Sequence, residues 1–290
     1  MSHIALITYT DFPGLSESDK MLLALLKKEG QVVTVVPWDK DGVDWSVFSC
    51  VIIRSCWNYY EKFDDFLRWL GILQKSTITV WNPISVIEWN IRKTYIRDLA
   101  SVGISVVPIV FLEQDSRELL QDICIENKWE EIIIKPTVGA SAHGVYKIHK
   151  REAESKQVLV TELLKESAVM VQPFMKEIEN GEYSIIFIGK RYSHAVLKVP
   201  KRGEFRVNYE QGSREEITEI DKDLLLQAQA VVDTIEPSLL YTRVDGIIVD
   251  GKFMLMELEL IEPHLYFDLY PEGAEKFVST LIELEKISNL

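Results

Sequence analysis

Residues 241–263 read Tyr-Thr-Arg-Val-Asp-Gly-Ile-Ile-Val-Asp-Gly-Lys-Phe-Met-Leu-Met-Glu-Leu-Glu-Leu-Ile-Glu-Pro. Two apolar runs, 242–250 and 253–260, flank an Asp-Gly turn, so the segment predicts an antiparallel hairpin. Asp245, Glu257 and Glu259 interrupt these runs. Strand side chains alternate, so Glu257 and Glu259 share a face. The turn sets where Asp245 points. A three-residue loop, Asp250-Gly251-Lys252, puts Asp245 opposite Glu257; a two-residue loop puts it opposite Met256 and breaks the cluster. The expectation is the three-residue loop, with Gly251 near the left-handed region. Converging carboxylates repel unless a cation sits among them, and an all-oxygen set suits Mg²⁺, with phosphate oxygens as further ligands. The alternative is a solvated outer face, where Glu-x-Glu is common. Arg243 puts a cation on the Asp245 face, which fits an ion pair or a phosphate contact.

Upstream, strands alternate with helices. Residues 3–8, 31–36, 49–54 and 77–81 read as strands, and residues 21–28 and 63–73 carry apolar side chains at helical spacing. Ser16 offers a helix N-cap, and Gly30 stands where a left-handed helix end is expected. This alternation predicts a parallel, covered sheet, taken as a domain over residues 1–82. Beyond Asn82-Pro83 the order is mixed. A helix is expected over 91–102 and strands over 106–112, 131–136, 145–149 and 169–174, with helices at 117–128 and 152–166. After residue 182, strands at 183–188, 192–198 and 205–209 cluster, a helix at 222–235 intervenes, and a helix at 274–284 follows the hairpin. Residues 83–167 and 168–290 are expected as two lobes.

Lys135-Pro-Thr-Val-Gly139-Ala-Ser141-Ala-His-Gly144 follows one strand and precedes another. Small residues let backbone N–H groups approach a phosphate, and a lysine at the strand end adds charge there. The P-loop order is absent, and a glycine turn between strands is more often only a turn. Lys93 is expected on a helix, where a surface lysine is the usual case. Gln172-Pro-Phe-Met-Lys-Glu177 leaves a buried strand and exposes backbone groups that could read an adenine edge. Glu182 could accept from ribose hydroxyls.

Composition bounds the partners. The chain has 290 residues, 47% hydrophobic and 27% charged, with 45 acidic and 32 basic side chains and a net charge of −13. This excludes disordered and fibrous classes and is a poor match for nucleic acid or an anionic membrane. No apolar run approaches the roughly 20 residues that span a bilayer, and no secretory leader is visible. Three cysteines at no metal-ligand spacing fit free thiols in a reducing cytoplasm.

Taken in order, these elements resemble the ATP-grasp superfamily, specifically the bacterial glutathione-synthetase-like and cycloserine-pathway-like carboxylate–amine ligases. The resemblance runs from about Asn82 to Phe277. It rests on Asn90-x-x-Lys93, Lys135-Pro with the glycine loop, Gln172-Pro-Phe-x-x-Glu177, Gly181-Glu182-Tyr-Ser, Ser193-His-Ala-Val-Leu-Lys198, Gly203-Glu-Phe-Arg206, Arg243-Val-Asp245 and Glu257-Leu-Glu259-Leu-Ile-Glu-Pro263. Arg54-Ser-Cys-Trp-Asn-Tyr59 looks like a tract that precedes the nucleotide domain in this group.

The resemblance implies an α/β pre-ATP-grasp domain followed by a two-lobed α+β ATP-grasp fold. It implies that Lys93 and Lys135 hold ATP phosphates under a loop including Ser141, with Gln172 and Phe174 at adenine and Glu182 at ribose. Asp245, Glu257 and Glu259 would hold Mg²⁺, with Mn²⁺ as an alternative. Many relatives carry Asn where this chain has Glu259. Lys198, Arg206 and Arg243 would neutralise the moving phosphoryl group. The implied reaction joins a small-molecule carboxylate to an amine through an acyl phosphate, and one relative closes a ring in an antibiotic pathway. A small-molecule kinase and a non-catalytic nucleotide-binding protein are the alternatives. For the acceptor, Asp11, Arg54, Trp57, Asn58 and His194 are candidates, Arg54 either pairing a substrate carboxylate or bracing a domain interface. His264, like His194, could approach the acceptor, though a lone His beside a strand or Pro is more often structural, and His143 falls in the phosphate loop by position only. Relatives often pair as homodimers, and no face is assigned to that here.

Overall fold

The protein is described by a computed structural model that covers residues 3–140, 142–207 and 211–288. A parallel sheet opens the chain: β1 (His3–Thr8), β2 (Val32–Pro37), β3 (Cys50–Ile53) and β4 (Thr79–Trp81), in the order β2-β1-β3-β4. Helices α1 (Glu17–Lys28) and α2 (Phe63–Gln74) cover it. Ser16 Oγ accepts from the Asp19 N–H at 3.1 Å and starts α1; Gly30, at φ +77°, helps end it. The central strands β1 and β3 are buried on both faces, as parallel strands under helices must be, whereas the edge strand β2 exposes Val32.

The chain then forms α3 (Ile84–Asn90) and α4 (Tyr95–Ser101). The single helix expected over 91–102 is therefore broken. Asn90 donates to the Leu258 carbonyl and accepts from the Leu260 N–H, and the Lys93 N–H donates to the Thr137 carbonyl. These bonds fasten the 91–94 turn to the strands around it, and Lys93 stands in that turn rather than on a helix.

A four-stranded antiparallel sheet follows: β5 (Val110–Leu112), β6 (Glu131–Pro136), β7 (Tyr146–His149) and β8 (Val169–Pro173), ordered β5-β8-β6-β7, with α5 (Leu120–Asn127) and α6 (Ala153–Glu166) packed on it. The largest sheet comprises β9 (Glu182–Ile188), β10 (Arg191–Val199), β11 (Arg214–Thr218), β12 (Tyr241–Val249) and β13 (Lys252–Glu259), ordered β11-β10-β9-β12-β13. One of its faces packs Ile185, Phe187 and Val244 against α4 and α7 (Lys222–Asp233). The other packs Ile186, Val196 and Tyr241 against α8 (Pro271–Ser288), whose Phe277 and Leu281 also meet Leu22 and Leu26 of α1.

The strand expected over 205–209 is not found. Residues 205–207 are irregular, 208 and 209 lie outside the described residues, and β11 forms further along. The Glu204 carboxylate takes the N–H groups of Phe205 and Arg206, donors that a strand ladder would need.

The hairpin differs from expectation in an instructive way. Its turn is the two-residue one: Val249 pairs with Lys252, and Asp250 and Gly251 both have positive φ, 49° and 75°. Yet Asp245 pairs with Glu257, because the register shifts between Asp245 and Gly246 and leaves Met256 as an extra residue. This β-bulge restores the pairing that the turn alone would break.

Candidate active site

One end of one face of the largest sheet carries charge instead of core. Lys198 on β10 pairs in register with Glu182 on β9, Ser184 on β9 with Asp245 on β12, Asp245 with Glu257 on β13, and Arg243 with Glu259. Side chains paired in register lie on the same face. Lys93 and Lys135 reach the same cleft, whose volume is about 780 Å³.

Each carboxylate has a cation. Lys93 Nζ is 2.9 Å from Glu257 and donates to the Gly139 carbonyl at 2.7 Å, tying the glycine loop to β13. Lys198 Nζ is 2.5 Å from Glu182 and 3.6 Å from Asp245. Arg243 spans Asp245, at 2.9 Å, and Glu259. Ser184 Oγ donates to Asp245 at 2.6 Å.

Burial disfavours charge throughout, and the partners decide the outcome. Burial would raise the Asp245 carboxyl, but Arg243 and Lys198 hold it near 2. Glu257 is likewise lowered, by Lys93 and Lys135. Burial, with Asp245 and Glu257 nearby, pushes Glu259 up to about 8 despite Arg243. Burial lowers Lys135, whereas Glu257 outweighs burial at Lys93 and raises it.

Asp245, Glu257 and Glu259 thus share one face, as the hairpin reading expected. Their all-oxygen chemistry fits a hard divalent cation. Among the described residues, however, no group of three or more Asp, Glu, His or Cys stands close enough to hold a metal by itself, so phosphate oxygens would have to complete such a site.

Away from the charges the cleft is apolar, walled by Ile133, Met175, Ile178, Met256 and Leu258. Gln172 is buried there. The Phe174 N–H is already given to the Glu131 carbonyl, and Lys147 stands 3.4 Å above its ring centroid. Arg206 lines the cleft but is held bidentately by Glu204, at 3.0 and 2.8 Å. Ser141 lies outside the described residues.

The acceptor candidates separate. Trp57 lines the cleft, and its indole N–H donates to the Glu262 carbonyl at 3.1 Å. Arg54 is 1% exposed, pairs with Asp19 at 2.9 Å and donates to the Pro263 carbonyl, so it braces the junction between the parallel domain and the hairpin. His194 is buried outside the cleft, bonded to Ser193 and the Leu265 carbonyl and stacked on Tyr270. Asp11 and Asn58 line a second cavity of about 680 Å³ with His143, whose ring packs at a tilt against Tyr60, 5.1 Å between centroids. The sequence reading assigned nothing to Glu262 or Asp268, and named Tyr59 only within the tract after a strand end and His264 only beside the acceptor; all four line the cleft. Glu262 was visible inside the quoted Glu-Pro motif and Tyr59 inside the quoted Arg54–Tyr59 tract; Asp268 carried no signal beyond residue type.

Comparison with known proteins agrees with this geometry. Residues 84–263 match the family described as "Prokaryotic glutathione synthetase, ATP-grasp domain", and residues 4–82 match "D-cycloserine synthetase DcsG, N-terminal domain". The cycloserine biosynthesis protein DcsG of Streptomyces lavendulae is 27% identical over 98% of this chain and 99% of its own length. A glutathione synthetase of Prochlorococcus marinus (strain MIT 9313) is 25% identical over 80% of this chain and 73% of its own length. A crystal structure of D-cycloserine synthetase DcsG superposes with a TM-score of 0.88 at 27% identity, covering 97% of this chain and 99% of that one. The ATP complex of Bacillus anthracis D-alanine–D-alanine ligase shares the fold, with a TM-score of 0.69 at 16% identity over 98% of this chain and 97% of that one. Among the described residues no helix is long and apolar enough to cross a membrane.

Proposed function

This chain belongs to the prokaryotic glutathione-synthetase ATP-grasp family, and from that premise we propose the residues and the substrate class of its reaction. It is an ATP-dependent ligase that joins a carboxylate to an amine. The carboxylate is that of a small amino acid or a related metabolite.

The substrate carboxylate oxygen attacks the γ-phosphorus, the bond to ADP breaks, and an acyl phosphate forms. The amine nitrogen then attacks the acyl carbon, phosphate leaves, and the nitrogen sheds a proton. Positioning and charge neutralisation carry such a transfer, with no covalent protein nucleophile. Lys93 and Lys135 hold the phosphates from two sides, with the loop around Ser141 above. Gln172 and Phe174 face adenine, and Glu182 takes ribose hydroxyls. Lys198, Arg206 and Arg243 offset the charge that builds at the reacting centre. Asp245, Glu257 and Glu259 would share Mg²⁺ with the phosphates, and the ion would neutralise their oxygens.

One observation carries the reading: Lys93, Lys135, Lys198 and Arg243 converge with four carboxylates on a single cleft that also has an apolar slot. The test measures ADP and phosphate release against amino acids and small dicarboxylates, with and without an added amine. Release that never depends on a carboxylate substrate would overturn it.

A second reading is ring closure within one molecule. The N-terminal residues match those of D-cycloserine synthetase, and this domain supplies Ser16, Glu17, Trp57 and Tyr59 to the cleft. Release of ADP from a substrate carrying both groups, with no separate amine, identifies it. We place the reaction in the cytoplasm, in keeping with three buried free thiols.

A further inference from the structure

Glu262 differs from the other acids deep in the cleft. Its residue is 7% exposed and lines the cleft. Glu182, Asp245, Glu257 and Glu259 each have a lysine or arginine within 4 Å; among the described residues Glu262 has none. A buried carboxylate without a cation is costly, and its carboxyl is accordingly pushed up to about 7 by burial.

The fold nevertheless holds this residue firmly. Six consecutive carbonyls around it each lie within hydrogen-bonding distance of a different side chain. Asn82 donates to Leu260, Trp57 to Glu262, Arg54 to Pro263 and Arg243 to His264, His194 bonds Leu265, and the Tyr241 hydroxyl, whose one proton is shared with the Ile53 and Trp81 carbonyls, stands at Ile261, all at 2.6–3.1 Å. An irregular segment clamped along its backbone is preorganised, and it fixes where Glu262 stands in the cleft wall. Trp57 and Tyr59 line the same cleft, and aromatic rings attract cations.

Resting on the ligase reading above, we propose that Glu262 is a specificity residue that receives the ammonium group of the amino-acid substrate. The missing cation is the substrate's own. The site therefore selects free amino acids over acids of the same size that lack the amino group. Arg54 and Trp57, which bond the carbonyls at 262 and 263, position Glu262.

The test uses the intact protein, MgATP and hydroxylamine, which captures an acyl phosphate as a hydroxamate with release of phosphate. Both enantiomers of alanine and serine are compared with propanoate and 3-hydroxypropanoate. The wild type is expected to favour at least one amino acid over its partner lacking the amino group by tenfold or more in kcat/KM, the scale of one hydrogen bond to a charged group. Glu262→Gln should bring that ratio within about threefold by slowing the amino acid, with the MgATP dissociation constant unchanged. Glu262→Asp, which keeps the charge but withdraws it, should fall between. Equal use of both acids by the wild type overturns the proposal without needing a variant. A Glu262→Gln enzyme that keeps the wild-type ratio also overturns it and leaves the ligase reading standing. Absence of hydroxamate from every acid, with MgATP bound, overturns the amino-acid reading and this proposal together.

Discussion

Asp245 faces Glu257 across β12 and β13 because Met256 is an extra residue in β13. The two-residue Asp250-Gly251 turn alone would set Asp245 against Met256. The bulge realigns the two acids beside Gly246, which approaches its neighbours so closely that an added Cβ would meet the Met254 carbonyl at 2.6 Å and the Phe253 ring closer still.

Gly246→Ala should therefore destabilise the fold by at least about 1–3 kcal/mol, the usual cost of overpacking. It should also weaken nucleotide binding, since Asp245 is the adjacent residue. Urea denaturation and MgATP calorimetry measure the two effects. A variant as stable as the wild type would refute the close approach.

Lys135→Ala and Asp245→Asn should each lower kcat/KM for ATP turnover by about a hundredfold or more, the scale of losing one preorganised charge at a phosphoryl centre. The Lys135 variant should keep its fold, because that lysine makes no ion pair among the described residues. Asp245→Asn leaves Arg243 and Lys198 short of a counter-charge, so its melting temperature is read alongside. A purified, folded variant with the wild-type rate would remove that residue from the phosphate site.

Chelation of divalent ions should stop turnover, and Mg²⁺ or Mn²⁺ should restore it. Isothermal calorimetry with ATP alone should show weaker binding than with MgATP, since Glu182, Asp245, Glu257 and Glu259 stand together in the cleft. Equal affinity in the two titrations would argue against Asp245, Glu257 and Glu259 as ion ligands.

Arg54→Met should cost about 3–5 kcal/mol, because it strands Asp19 as a buried charge. The loss is expected in stability first, measured by denaturant midpoint. A stable variant with only a raised KM would instead make Arg54 a substrate ligand.

His194 introduces a pH dependence of stability. Burial, with Lys276 nearby, lowers it to about 4, against about 6.5 in an unfolded chain. Between those values the unfolded state binds a proton that the folded state refuses, so stability falls as pH drops from about 6.5 to 4. The full contribution is about 3 kcal/mol. His194→Gln should flatten that slope in urea titrations at pH 6.5, 5.5 and 4.5; an unchanged slope would move the proton to another group.

Much of this was legible in the residues. Strand and helix periods placed β1 to β4, α1 and α2 close to where they fold, because each apolar run there meets its core locally in sequence. That Glu257 and Glu259 stand on one face was legible, because residues two apart in a strand point the same way; their meeting with Lys93, Lys135, Lys198 and Arg243 in one cleft joins segments far apart in the chain. The break at Lys93 was not legible: the side chain of Asn90, the last residue of α3, serves backbone groups at 258 and 260, some 170 residues away. Nor was β11, since Glu204 captures nearby N–H groups and the strand forms only further along.

Composition and alternation by themselves determined that this chain has a covered parallel sheet, an acidic hairpin and no long apolar span, for these follow from local periods and side-chain type. Only the tertiary structure decided that Met256 would bulge, that Arg54 and His194 would turn into the protein, and that Glu262 would face the cleft without a cation. Those outcomes depend on which distant backbone groups and charges come together, and burial multiplies the strength of such contacts while leaving no trace of them along the chain.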